Sequence, residues 1–364
     1  MVESVLVIGY NARVIACSAK RAGYKVYSVS HYDDLDQARC SDRVEVFGDM
    51  PQDLKPYIEM FNPDYVTLGS GFEDADIDRS LVLGSDPKIA KDVTNKVWLA
   101  KKLEKLGIRQ PKLYNRNNVE FPCVAKPISG GGGYKNYIVK DESMLPDEKE
   151  YFLQEFIEGR PLSVSVLSSE SEAKPITLNE ILVGKKWLGQ ELVHGYCGNV
   201  TPYKTRFHDE MFDMSKKLIE ALGLVGSNGI DFMVNETGPY VLEVNPRFQG
   251  SLDSVELAIK DNLFKLHKDA IEGKLREVKV KQFGIRGIYF ARRHTKVVGN
   301  MLKPGLADIP KAGNTFERGE AIVSVLGHGP TRGTAVSMLK ENLKFAKSKV
   351  KATGPIEGPI RHGA

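Results

Sequence analysis

Between Gly229 and Arg247 the chain reads GIDFMVNETGPYVLEVNPR, and no other stretch narrows the fold so far. Two apolar runs flank the turn-forming string NETGP, which predicts two antiparallel strands joined as a hairpin. Each run carries an acid. Strand side chains alternate between faces, so Glu243 and Asn245, two apart, point the same way. The hairpin can bring Asp231, on the preceding strand, beside them. Buried carboxylates need a counter-charge. Two carboxylates and an amide form the hard oxygen donor set that Mg²⁺ prefers, often shared with nucleotide phosphates. Ion pairing with Arg247 and neighbouring lysines is the alternative reading.

The N-terminal segment alternates strands with helices. SVLVIGY, YKVYSVS and PDYVTLGSG read as strands and ARVIACSAKRAG as an amphipathic helix ended by Gly23, giving a parallel βαβ layer. Ligands of such layers gather at the carboxyl ends of the strands, here Gly9 and Asn11, His31 to Asp34, and Ser70 to Glu73. The dinucleotide fingerprint needs further glycines after Gly9, and GYNARVIA lacks them, which disfavours an NAD site.

A helix capped near Thr94 and stopped by Gly107 follows. The strand FPCVAKP then leads through ISGGGGYKN to YIVK, a hairpin whose connection is mostly glycine. Such a loop serves close approach to a ligand, or freedom to move, better than an ordinary turn does. YFLQEFIEG, LSVSVLSS and PITLNEILV are further strands, and DEMFDMSKKLIEALG is a helix. Beyond residue 280, short strands, glycine turns and a helix from Thr334 to Lys347 predict a small antiparallel cap.

With 364 residues, 41% hydrophobic and 27% charged, the chain is long enough for two or three packed units. A net charge of +4 on dispersed basic residues gives no nucleic-acid footprint. No run approaches the length of a membrane span and no cleavable leader is visible, which points to the cytoplasm. Cys17, Cys40, Cys123 and Cys197 show neither disulfide nor zinc spacing and read as buried thiols.

Taken in order, FPCVAKPISGGGG, YFLQEFIEG and SNGIDFMVNETGPYVLEVNPR resemble the ATP-grasp superfamily, which includes D-alanine ligases, carboxylate-amine ligases and biotin carboxylases. The segment LADIPKAGNTFERGEAIVSVLGHGPTRGTAVSML is similar to the cap of the biotin-carboxylase and purine-biosynthetic branches. The resemblance implies a mixed α/β and α+β architecture: an N-terminal βαβ domain over 1–90, a two-lobed ATP-grasp domain over 91–280 with its small lobe at about 112–158, and a cap over 281–364.

The resemblance also implies roles. Lys126 and Lys96 match the lysines on the nucleotide phosphates. Ser129, Gly130, Gly131 and Gly132, with Gly133, match the flap whose backbone amides close over ATP. Gln154, Glu155, Phe156 and Ile157 match the adenine hinge, with Glu158 available to the ribose. Asp231, Glu243 and Asn245 match the ligands of Mg²⁺, for which Mn²⁺ is an accepted substitute. Arg247 matches the arginine at the transferred phosphoryl group. Arg293, Lys204 and Arg206 are weaker candidates for the substrate side, and His194 reads as a loop residue.

The implied reaction is phosphorylation of a carboxylate by Mg-ATP to an acylphosphate, which an amine then attacks to form a C–N bond. Its partners are a small carboxylic acid and an amine, with no nucleic acid and no membrane, and a homodimer is the assembly considered. A biotin-carboxylase-like reaction, with bicarbonate activated as carboxyphosphate, is the alternative. The acids of HYDDLDQARCSDR and GSGFEDADIDR could hold a substrate ammonium.

Overall fold

The computed structural model describes residues 2–128 and 136–354. Ser129 to Gly133, the proposed flap, lie outside the described residues. The first ninety residues build a parallel sheet from strands Ser4–Ile8, Lys25–Ser30, Arg43–Val46 and Tyr65–Leu68, with the first strand between the second and fourth. The run of four buried residues from Val5 to Ile8 makes that central strand apolar on both faces, as a covered parallel sheet requires. Helix Arg13–Arg21 packs its Ile15, Ala16 and Ala19 into a core shared with Phe248 and Phe264.

The cysteine reading needs correction. Cys17, on that helix, and Cys40, at the end of helix Leu35–Cys40, form a disulfide with Cα atoms 4.7 Å apart; Cys123 and Cys197 are buried free thiols. Sequence spacing could not show the pairing because the two cysteines meet only when the two helices pack together.

The helix expected to be capped near Thr94 is preceded by another. There are two, Pro87–Thr94 and Lys96–Lys105, and the cap is Asn95, whose side chain accepts from the backbone N–H groups of Val97 and Trp98, both at 3.1 Å. An amide oxygen there satisfies two N–H groups that the helix start leaves orphaned.

Strands Leu113–Tyr114, Tyr151–Glu155, Cys123–Pro127 and Tyr137–Val139 form a small antiparallel sheet in that order. The largest sheet has eight strands. It starts at the hairpin Gly238–Asn245 and Gly226–Asn235, continues through Arg160–Ser168, Ala173–Val183 and Tyr196–Thr201, and ends with Phe283–Phe290, Ala321–Gly329 and Leu306–Ala307. It therefore crosses position 280 without a break, through the pairing of Val200 with Ile285. Helix Arg332–Ser348 packs Ala335, Leu339 and Leu343 into the core of the last strands, and a three-stranded sheet joins Thr315–Phe316, Thr295–Val297 and Val350–Ala352.

The two faces of the large sheet differ. Val164, Ile230, Phe232 and Val244 bury one face against Leu99 and Leu103 of helix Lys96–Lys105 and Leu218 and Ile219 of helix His208–Leu222. The other face is polar inside: Asn179 donates to Ser165 at 3.0 Å and accepts from Thr201 at 2.8 Å, and Thr201 contacts Ser254 at 2.9 Å. Helix Leu252–Ile259 covers this face. Asp231 belongs to it by alternation with Ile230 and Phe232. Among the described residues no helix is long and apolar enough to cross a membrane.

Candidate active site

The hairpin register sets Asp231 directly opposite Glu243, and Gly229 opposite Asn245. Like charges directly across two strands repel. Burial first, and then Glu243, push the Asp231 carboxyl well above its ordinary range. Amide N–H groups face the pair: Asn245 Nδ2 lies 3.4 Å from both carboxylates, and Gln249 Nε2 donates to Asp231 at 3.3 Å. Gln249 is buried, accepts from Ser165 at 3.2 Å, and lies across Gly229, where a Cβ would overlap its side chain. Here glycine is required by close approach.

Three cations surround this pair. Lys126, on the strand Cys123–Pro127, donates to Gln154 Oε1 at 2.7 Å. Burial lowers its pKa to about 8, assisted by Lys96 and opposed by Glu243. Lys96 opens the second helix with its Nζ at 3.5 Å from the Pro127 carbonyl, and burial lowers its pKa against the pull of Glu243. Arg247 donates to Asn245 Oδ1 and to the Phe248 carbonyl, each at 3.1 Å, and pairs through Nε with Glu73. Burial opposes its charge, but Glu73 and the two hairpin acids hold it protonated.

The structure thus brings together Lys96, Lys126, Gln154, Asp231, Glu243, Asn245 and Arg247. Other expectations fall differently. The Gln154 oxygen, in the segment matched to the adenine hinge, accepts from Lys126. Glu155 fixes Lys112, accepting from its N–H at 3.0 Å. Phe156 and Ile157 are half-buried, and Glu158 is exposed. Gly159 passes so near the next strand that a Cβ would lie 2.6 Å from the Val234 carbonyl. Arg293, Lys204 and His194 are exposed, and Arg206, also exposed, donates to the Glu236 carbonyl at 2.8 Å.

Residues not singled out in the sequence complete the arrangement. Arg286 is buried in the strand Phe283–Phe290 and binds the Gly250 carbonyl at 3.1 Å, Ser324 at 3.1 Å and Asp308 at 2.8 Å. Asp308 also takes Arg13 Nε at 2.8 Å, and Arg13 forks onto Asp253 at 3.0 and 2.7 Å. Burial would raise Asp308, but the two arginines hold it well below the carboxylate range. Tyr196, half-buried near Arg286 and Asp231, is pushed up to about 12 by desolvation. Gln249 lies beyond the end of the strand Gly238–Asn245, where strand alternation no longer applies, so no local signal announced it.

The donor set fits a divalent cation. Two half-buried carboxylates facing each other across the hairpin repel, and a hard ion between them relieves that repulsion. Asn245 would turn its amide to present oxygen and give up its bond from Arg247. Among the described residues no three His, Cys, Asp or Glu side chains converge on a possible metal position.

A family model for the ATP-grasp domain matches residues 93–251. An uncharacterized protein of Methanocaldococcus jannaschii is 30% identical over 376 residues, spanning 94% of this chain and 93% of the relative. The chain belongs to the ATP-grasp superfamily. A phosphoribosylamine–glycine ligase of Pyrococcus furiosus is 24% identical over 415 residues, covering 98% of this chain and 92% of its own. The biotin carboxylase of Campylobacter jejuni superposes with a TM-score of 0.75 at 13% identity, over 95% of this ATP-grasp chain and 91% of the carboxylase, a likeness of fold. ATP-grasp enzymes generally use Mg-ATP and act on small-molecule substrates, and this member is an ATP-dependent ligase by family.

Proposed function

We propose that the protein activates a carboxylate as an acylphosphate and joins it to an amine. The observation that carries this reading is the convergence of Lys96, Lys126 and Arg247 on the Asp231–Glu243 pair: cations to hold a triphosphate beside oxygen ligands for its metal. Phosphoryl transfer asks a protein for positioning and charge neutralisation more than for a nucleophile. Lys126 and Lys96 bind and orient the nucleotide phosphates, and Arg247 steadies the transferred group. Asp231, Glu243 and Asn245 would hold Mg²⁺, which when bound neutralises the charge on the phosphate oxygens. Residues 112–158 supply the nucleotide lobe, and the flap at 129–133 excludes water from the acylphosphate. The domain limits of 90 and 280 belong to the same proposal.

A carboxylase that phosphorylates bicarbonate is the second reading, favoured by the strands after 280 continuing the large sheet in a fold shared with biotin carboxylase. Assaying ADP release across pairs of amino acids and amines, with bicarbonate present or omitted, separates the two. Release that needs an acid and an amine supports the ligase. Release that needs bicarbonate alone overturns it.

A further inference from the structure

Glu73 enters the site from the loop after strand Tyr65–Leu68, and the nucleotide chemistry gives it no task. Its Oε1 pairs with Arg247. Its Oε2 accepts from the Gly71 backbone N–H at 2.8 Å, and Phe72 anchors the loop in the core of the parallel layer. Glu73 is therefore held by its own loop and keeps its position when Arg247 moves. Arg247, the group proposed to steady the transferred phosphoryl, cannot give its Nε to both Glu73 and phosphate.

Once Arg247 turns to the nucleotide, Glu73 is a carboxylate only 12% exposed without its counter-ion. Such a group calls for another cation. A cavity of about 20 Å³ borders Glu73, Arg247 and Thr67, and the Thr67 hydroxyl is buried with no hydrogen-bond partner among the described residues. That volume admits one water-sized group, and an ammonium head is of that size.

We propose that Glu73 recognises the cationic nitrogen of the amine substrate and accepts the proton that this nitrogen must lose before it attacks the acylphosphate carbonyl and expels phosphate, and that Arg247 occupies Glu73 until the nucleotide triphosphate draws the arginine away. The inference rests on the ligase reading and adds an order to it: nucleotide first, protonated amine second. Glu73 acts here as a specificity residue on the acceptor side.

The test uses Glu73→Gln in the full chain, since glutamine keeps the acceptor for Gly71 but not the charge. Calorimetry with Mg-AMP-PNP should show tighter binding by the variant, by about threefold or more, because one competing ion pair is gone. ADP release is then measured with each of the twenty amino acids as acid and amine source, and with hydroxylamine, largely uncharged at neutral pH, in place of the amine. The variant should raise the KM for protonated amines about ten- to hundredfold, the value of a charged hydrogen bond, and lose far less with hydroxylamine. Unchanged or weaker Mg-AMP-PNP binding, or equal losses with both nucleophiles, overturns the inference and leaves the ligase reading standing. If the wild type itself fails to bind Mg-AMP-PNP, the ligase reading falls and the inference with it. Should Glu73→Gln melt early, Glu73→Ala in the same two assays decides the matter, because tighter nucleotide binding cannot come from a damaged fold.

Discussion

Lys126 offers a quantitative test of the site, because its charge is held at a cost in the folded protein. Its pKa falls from 10.5 to about 8, chiefly through burial. Keeping the ammonium charged in the folded state therefore carries a penalty of about 3 kcal/mol. The sign follows from the proton count. Between about pH 8 and 10.5 the unfolded chain binds more protons at this residue than the folded one, so the Lys126 contribution to stability rises with pH across that window. The penalty is fully present below about pH 8 and is gone near 10.5. Urea unfolding of the wild type and of Lys126→Met, followed from pH 7 to 10.5, should show the difference in stability between them changing by about 3 kcal/mol in that direction. At a single pH the comparison is less telling, because methionine leaves the Gln154 oxygen without its donor, a loss of about 1–3 kcal/mol. Nucleotide binding supplies the companion measurement. At pH 8 about half of the free protein carries neutral Lys126, and phosphate restores the charge, so binding Mg-ADP should take up about half a proton at this residue. Calorimetry in buffers of different ionisation enthalpy reads that uptake. A pH-independent difference between the two proteins, together with no proton uptake that Lys126→Met removes, would refute the placement of Lys126 against the nucleotide phosphates.

Asp231→Asn and Glu243→Gln should each leave the protein folded, as circular dichroism will show, while lowering ADP release at least about a hundredfold through loss of metal charge at the phosphate; near-normal release by both would remove these residues from the metal site. Gly229→Ala should displace Gln249 from Asp231 and destabilise the fold by about 1–3 kcal/mol through overpacking, measured by urea unfolding, and an unchanged midpoint would show that Gln249 moves aside freely. Unfolding the protein without reductant and titrating its thiols should find two, Cys123 and Cys197, and reducing the Cys17–Cys40 bridge should lower stability by about 2–4 kcal/mol; four reactive thiols before reduction would contradict the bridge.

What the sequence revealed, and what it hid, divides along the range of the interactions involved. The hairpin was legible because its information is local: period-two alternation, a turn string and two acids fix both the strands and the facing of Asp231, Glu243 and Asn245. The parallel layer was legible for the same reason, since buried strands and amphipathic helices announce themselves within a few residues. The pairing of Cys17 with Cys40, the fork of Arg13 on Asp253 and the meeting of Glu73 with Arg247 depend on elements far apart in the chain, the last on residues separated by 174 positions. No local pattern encodes such a meeting. The placement of arginine shows the difference most sharply. IYFARRHTKVV suggested Arg293, which is exposed, whereas the enclosed guanidinium belongs to Arg286 in FGIRGIYF. A lone arginine inside an apolar strand is costly to bury unless partners await it. It is therefore the stronger signal of a built site than an arginine pair at the strand's end, where water already solvates the charge. The same argument singles out Glu73, whose carboxylate is enclosed although its loop is otherwise rich in exposed acids, so that its ion pair with Arg247 marks where the parallel layer meets the chemistry.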